Sequence, residues 1–316
     1  MTIKQRLTKI QQASGWSQEQ LATQLGVSFA TLNAWINERA VPRVKAQQNI
    51  ERLYLDIVGV DAVDEQTLTE AKQIALKRKT STQAIAKNQD QLNALTLHLT
   101  YHTNTIEGST MTLSDVEEVL FEHKVLANRT AIEQAEARNH QATLYWLLEE
   151  LTDKKKDFVI DEQLILGIHL RLMNGIMSGA GQYRTHSVRI MGTTVPLVNW
   201  QKIPEQIAQL VRDIAKLSDD IIADIAKTHA TFEQIHPFAD GNGRTGRLIM
   251  LAQALQAGLL PPLVVKERKY AYYKYLEQAQ TKQDYQPLEF FVTQSMQFTS
   301  ELFKKQTWVS FAIITH

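Results

Sequence analysis

Between His236 and Arg247 the chain reads HPFADGNGRTGR, so a histidine, an aspartate, glycines and two arginines fall within twelve residues. Glycines at 241 and 243 let a backbone turn its N–H groups inward, making a nest for an anion. Pro237 disfavours helix at His236, so a preceding helix should end there. Leu248, Ile249, Leu251 and Leu255 give the apolar face of the next helix. Its first turn adds unpaired N–H groups and the positive end of the helix dipole. Arg244 and Arg247 are three apart and share one side of that turn. Two guanidinium groups there oppose the dipole unless an anion lies between them, and a polyphosphate can satisfy both through bidentate hydrogen bonds. Asp240 would repel that anion unless a cation intervened. Mg²⁺ held by one carboxylate and phosphate oxygens resolves the conflict. His236 is the group in the loop able to take a proton near neutral pH. Phe238, apolar in a polar loop, reads as a structural anchor into the core. The plainer alternative is an ordinary αα-hairpin loop with exposed arginines.

The elements around this loop read as helices. Helical periodicity recurs at about 90–106, 114–123, 129–153, 161–176, 202–217, 220–235, 243–257, 268–281 and 286–303. Only Ser187 to Val198 alternates like strands, with Gly192 near its turn, and it reads as a short β-hairpin. Ahead of this unit, residues 1–58 contain three short helices and a fourth from Val44 to Ile57. Ser17 and Gln20 are spaced as a capping box, Gly26 suits a left-handed helix end, and Ser28 suits the next N-cap. The tight turn Leu25-Gly26-Val27-Ser28 has helix-turn-helix geometry. The expected fold class is therefore all-α, a helical domain with a short hairpin flap behind a small helix-turn-helix domain. The boundaries are 1–58, a helical connector at 59–88, and a catalytic domain at 89–316.

The loop's residues also carry a resemblance. HPFADGNGRTGR is similar to the signature of the Fic family, HPFx[D/E]GNGRxxR, at every fixed position, and the flanking HATFEQIHPF and GAGQYRTHSVRI look like the family too. The resemblance covers about residues 90–260. It implies transfer of AMP from ATP to a protein hydroxyl, with His236 as general base and Asp240 on Mg²⁺. The Gly241-Asn242-Gly243 backbone would cradle the α- and β-phosphates, with Asn242 helping at the α-phosphate. Arg244 would contact the β-phosphate and Arg247 the γ-phosphate. The hairpin at about 188–198 would align a target segment by strand addition. A second motif, Thr103-Asn104-Thr105-Ile106-Glu107-Gly108, matches the family's inhibitory pattern [S/T]xxxE[G/N]. It implies that Glu107 pairs with Arg247 and takes the γ-phosphate's place.

Residues 14–43 resemble the phage-repressor type of helix-turn-helix. The recognition helix would present Ser28, Phe29, Ala30 and Asn33 to the major groove, and Arg39, Arg43 and Lys45 to phosphates. Residues 1–58 hold seven Lys/Arg and four Asp/Glu, a net of +3, which is only mildly basic. A three-helix protein-docking module is the alternative. A single such module needs a dimer to bind DNA usefully, so a homodimer is expected.

Composition narrows the classes further. Thirty-four basic residues balance 34 acidic ones, so no global field favours nucleic acid or membrane. The absence of cysteine excludes disulfides and thiolate metal sites. No stretch reaches the roughly 18 apolar residues of a membrane helix, and the N-terminus has no apolar signal core. The expectation is a cytoplasmic protein with ATP as substrate, Mg²⁺ as cofactor and no membrane partner. The main reading is an autoinhibited protein adenylyltransferase. The alternatives are a DNA-binding transcription regulator whose nucleotide site is a sensor, and an enzyme that mainly removes AMP.

Overall fold

The computed structural model describes residues 1–60, 63–154, 157–190, 193, 195–216 and 218–313, with backbone only from 305 onward. It is built almost wholly of helices, and contacts divide it into two compact units. The first comprises residues 1–62 together with 267–275, and the second holds the remainder.

In the first unit the helices are α1 (Ile3–Ser14), α2 (Gln18–Leu25), α3 (Phe29–Ile36) and α4 (Val44–Ile57). Ser17 caps α2 reciprocally with Gln20, and Gly26 ends it at φ +67°. Ser28 then accepts from Thr31 N and starts α3. Leu7, Ile10, Leu21, Leu32 and Ile50 are fully buried together, and Trp35 and Tyr54 close over them. Each apolar position comes from one stripe of its helix, so the local pattern and the small core agree.

The second unit begins with α5 (Glu65–Lys77), α6 (Thr82–Lys87), α7 (Gln89–Ile106), α8 (Leu113–Phe121), α9 (Ala131–Lys154) and α10 (Glu162–Met173). It continues with α11 (Ile203–Ile214), α12 (Ile221–Ile235), α13 (Asn242–Gln256), α14 (Lys269–Lys282) and α15 (Gln286–Ile313). The first residues of α14 fall in the first unit's division. Helix α13 packs against α12, α10, α9 and α7. Almost every residue from Asn242 to Leu255 is buried, polar ones included. A helix covered on all sides cannot show an amphipathic stripe, and its polar residues must find partners inside the protein.

One boundary needs correction and one expectation lies partly outside the described residues. Within 188–198 the described residues are extended, and the turn expected at Gly192 lies outside them. The exit of the segment is held by Val198 N donating to Gln234 O at 3.3 Å. Helix α15 continues to Ile313, so Trp308 to Ile313 extend a helix rather than follow one.

Candidate functional site

Two helices meet at the site. Helix α12 ends at Ile235, and His236 caps it in the left-handed region at φ +48°. Pro237 excludes another helical residue at that point. Helix α13 starts at Asn242 behind Gly241, which sits at φ +77°. A Cβ on Gly241 would run into Met173 Sδ. The loop between is shaped from within. The Asn242 side chain accepts from Phe238 N and donates to Phe238 O, each at 2.9 Å. The buried amide of Asn242 is thus committed to the loop, and its backbone remains for a ligand. Phe238 is fully buried, with its ring stacked on His169 at 3.7 Å.

His169, on α10, supports the loop from below. Gly181 N donates to its Nδ1 at 2.9 Å, so Nε2 carries the hydrogen and donates to Asp240 O at 3.0 Å. Burial is the main cause that pulls its pKa down to about 4, which keeps this bridging ring neutral. The His236 imidazole is held in the same manner. Its Nδ1 lies 3.3 Å from Glu233 O. A carbonyl only accepts, so Nδ1 is the donor and Nε2 is left to take a proton. Burial leads in lowering the His236 pKa, with Arg184 adding to it.

The structure brings both arginines into the core and gives each a carboxylate. Arg247 is 8% exposed and its Nη2 donates to Glu107 Oε1 at 2.5 Å. Its Nε donates to Thr103 Oγ1 at 2.7 Å. Arg244 Nη1 donates to Glu136 Oε1 at 2.6 Å, and its Nη2 lies 3.6 Å from Asp240 Oδ1. Protein carboxylates thus supply the negative charge that the sequence pattern requires between the two guanidinium groups. Gly243 faces the same place, because a Cβ there would strike Glu107 Oε1. Asp240 stays 69% exposed at the mouth, one carboxylate oxygen accepting from Gly241 N at 2.6 Å.

Several residues of the site were not singled out from sequence. Glu136 lies on α9, and His140 lies one turn further along it, fully buried and bonded to Thr100 Oγ1 at 2.8 Å. Burial first, then Arg247 and Arg244, hold the His140 pKa at about 3, so it adds no charge beneath the arginines. Glu233 is buried beside Gly246, and a Cβ on that glycine would lie 2.7 Å from its Oε1. Burial pushes its pKa up to about 8, against the pull of Arg247, and Glu107 raises it further. Glu133 ties down the chain beyond Glu107. It accepts from Thr110 N at 2.6 Å and from Thr130 N at 3.2 Å. Only Glu133 carried a sequence signal, as the third residue after an N-capping Thr130.

In the first unit, Phe29 is 48% exposed, and Ala30 is exposed beside it. Ser28 spends its hydroxyl on the α3 cap, bonding Thr31. Asn33 is tied to Gln18 at 3.3 Å and to Asn37 at 3.1 Å. No helix among the described residues is long and apolar enough to cross a membrane.

The chain is similar to known proteins in both of its parts. The sequence profile of the Fic/DOC family matches residues 159–254, and a helix-turn-helix profile matches residues 9–54. A protein adenylyltransferase Fic of Nematostella vectensis is 29% identical over 213 residues, 66% of this chain and 49% of that protein. The protein adenylyltransferase fic-1 of Caenorhabditis elegans is 33% identical over 184 residues, 57% of this chain and 35% of the relative. The chain therefore spans between about a third and half the length of these curated relatives. Among solved structures, C. elegans Fic-1 superposes with a TM-score of 0.64 at 22% identity, covering 92% of this chain and 86% of that one. A Fic domain-containing signaling protein of Bacteroides thetaiotaomicron gives 0.59 at 19% identity, covering 76% and 94%. These two likenesses establish the fold.

Proposed function

We propose that this chain, which carries a Fic/DOC-family domain at residues 159–254 behind a helix-turn-helix domain at residues 9–54, is a protein adenylyltransferase restrained by its own Glu107. One observation carries the reading. His236 holds Nε2 available at the end of α12, facing a glycine loop and a helix start where two buried arginines wait beside displaceable carboxylates. The names of the relatives support the same activity.

In the proposed reaction the ATP phosphates lie along the Gly241-Asn242-Gly243 backbone. Arg244 binds the β-phosphate and Arg247 the γ-phosphate, which takes the place of Glu107. Nε2 of His236 accepts the proton of a Tyr, Thr or Ser hydroxyl on a target protein. That oxygen attacks the α-phosphorus, and the bond from phosphorus to the β-phosphate bridging oxygen breaks, releasing pyrophosphate. The transfer depends on positioning and charge stabilisation more than on new covalent chemistry. Mg²⁺ fits the residues present: Asp240 offers one exposed carboxylate at the loop mouth, which suits an ion that takes few protein ligands and several phosphate oxygens. Bound there, it would neutralise phosphate charge. The segment at about 188–198 would hold the target chain.

The division of labour along the chain is also part of the proposal. Residues 1–58 would tether the enzyme to DNA or a partner, with a homodimer as the binding form, residues 59–88 would connect, and residues 89–316 would catalyse. A cysteine-free chain is compatible with the reducing cytoplasm. The exposed Phe29 at the start of α3 favours a second reading, a DNA-binding regulator with a nucleotide-sensing site. Incubation with ATP labelled at the α-phosphate, Mg²⁺ and a cell lysate separates them. Glu107→Gly should label itself and a target strongly, wild type weakly, and His236→Ala neither. ATP-dependent operator affinity without any label transfer would replace the enzyme reading with the regulator. If AMP leaves a modified target faster than it is attached, removal is the main activity.

A further inference from the structure

Arg184 follows α10 and precedes the segment proposed to dock the target, and no role has yet been given to it. It is 5% exposed. Its guanidinium reaches backbone carbonyls of three separate places. Nε donates to His236 O at 2.8 Å, Nη1 to His186 O at 2.7 Å, and Nη2 to Val198 O at 2.6 Å. A longer contact of 3.5 Å reaches Ile235 O. Its own backbone N donates to Pro237 O at 2.9 Å. Among the described residues, every hydrogen bond of this side chain goes to a carbonyl and none to a carboxylate. Burying a guanidinium without a counter-charge is costly, and burial does lower its pKa. What the position gains is geometry. The planar fork of donors can join three carbonyls at fixed angles, whereas an ammonium is a point charge on a flexible stem.

The three places are the entrance of the 186–198 segment, its exit, and the backbone of the proposed general base. We propose that Arg184 is the positioning residue that fixes the target-docking segment to His236, so that an acceptor hydroxyl laid on that segment meets Nε2 at a set distance. The inference rests on the adenylyltransferase reading. Both described ends of the segment, His186 and Val198, are fastened to this one side chain. The same cation bears on the imidazole. His236 is kept below the ordinary histidine value by burial and by Arg184, while the Glu233 carbonyl, Glu107 and Asp240 pull the other way.

The test uses the full chain with Glu107→Gly, to which Arg184→Lys and Arg184→Gln are added separately. Both should lower kcat for AMP transfer on the order of 100-fold, the cost of a small misplacement of reacting groups. The KM for ATP should stay unchanged, because neither phosphate-binding arginine touches Arg184. Amide hydrogen exchange across residues 186–198 should quicken in both. Arg184→Gln should also move the acid limb of the kcat profile to higher pH, and Arg184→Lys, which retains the charge, should not. Retained kcat or unchanged exchange in both variants overturns the proposal. Loss of ATP binding by calorimetry along with turnover also overturns it, by assigning Arg184 to the fold at large. If Glu107→Gly itself transfers no AMP, the enzyme reading fails instead. Hydrogen exchange and an NMR titration of the His236 ring then still decide whether Arg184 fastens the segment.

Discussion

Replacing Glu107 with glycine should tighten ATP binding while weakening the empty protein. The pair it removes is short, 2.5 Å between Arg247 Nη2 and Glu107 Oε1, but uneven in burial, the arginine 8% and the glutamate 31% exposed. With charge centres about 4 Å apart and an effective dielectric of about 20, the attraction is on the order of 4 kcal/mol. Water and salt at the half-open glutamate cut this to roughly 2 kcal/mol. If the γ-phosphate must first displace that carboxylate, the apparent Kd is raised by the inverse of the open fraction. Removing the obstacle should then tighten ATP binding roughly 30-fold. Glu107→Gln keeps an acceptor without the charge and should fall between. ADP, lacking the third phosphate, should bind wild type and variant alike. The same change leaves Arg247 buried without its carboxylate partner, which should lower unfolding stability by about 3 kcal/mol. Saturating ATP at about 100 times Kd should return nearly that amount. Isothermal titration with ATP and ADP, and urea unfolding with and without nucleotide, measure each part. Equal ATP affinity in wild type and Glu107→Gly would refute the competition between carboxylate and phosphate.

Three further outcomes are expected. Glu233 ionises near 4.5 when unfolded but holds its proton to about 8 when folded. The folded state therefore binds the extra proton, and this group's effect on stability worsens as pH rises from about 4.5 to 8. Glu233→Gln should remove that decline and stabilise the protein by a few kcal/mol at pH 8, read from urea unfolding at pH 5 and 8. His169→Phe keeps a ring against Phe238 but orphans Gly181 N and Asp240 O, so it should cost about 1–3 kcal/mol and weaken ATP binding, by the same unfolding and calorimetric assays. Phe29→Ala should change stability by less than about 0.5 kcal/mol, since the ring is half exposed. It should leave AMP transfer intact while reducing DNA affinity in a gel-shift assay, if the first unit reads DNA through α3.

Local signals made much of the fold legible. Ser17, Gln20 and Gly26 announce α2 because caps act within one turn of their own helix, and α4 runs from Val44 to Ile57 as its periodicity required. Pro237 marks the end of α12 for an equally local reason. The residues from His236 to Arg247 gather because one loop holds them all. What stayed hidden acts across distance. Glu136 meets Arg244 from 108 positions away, and on its own helix it looks like any solvated glutamate. Arg184 and Glu233 sit in patterns that read as polar faces, and only packing reveals that they are buried. The alternation at 187–198 marks extended backbone, because period two reports exposure on alternate sides and does not name a neighbouring strand. The extension of α15 past 303 is not legible locally because Thr307, Val309 and Ile313 are β-branched and of low helix propensity.

Under the proposed reading, the placement of Glu107 sets how the resting enzyme leaks. It lies at the end of α7, where the carbonyls of Thr103, Asn104 and Thr105 are met by the N–H groups of the closing turn rather than of further helix, and helix ends are where local opening is easiest. Yet the chain on either side is fastened: Thr103 to Arg247, and Thr110 to Glu133. These two fastenings should confine spontaneous opening to the few residues between those two threonines. Under the proposed reading, such a short hinge gives a small, constant trickle of turnover rather than silence. An activating signal then works by lengthening the hinge from one end, and freeing Thr110 is the route that leaves Arg247 undisturbed.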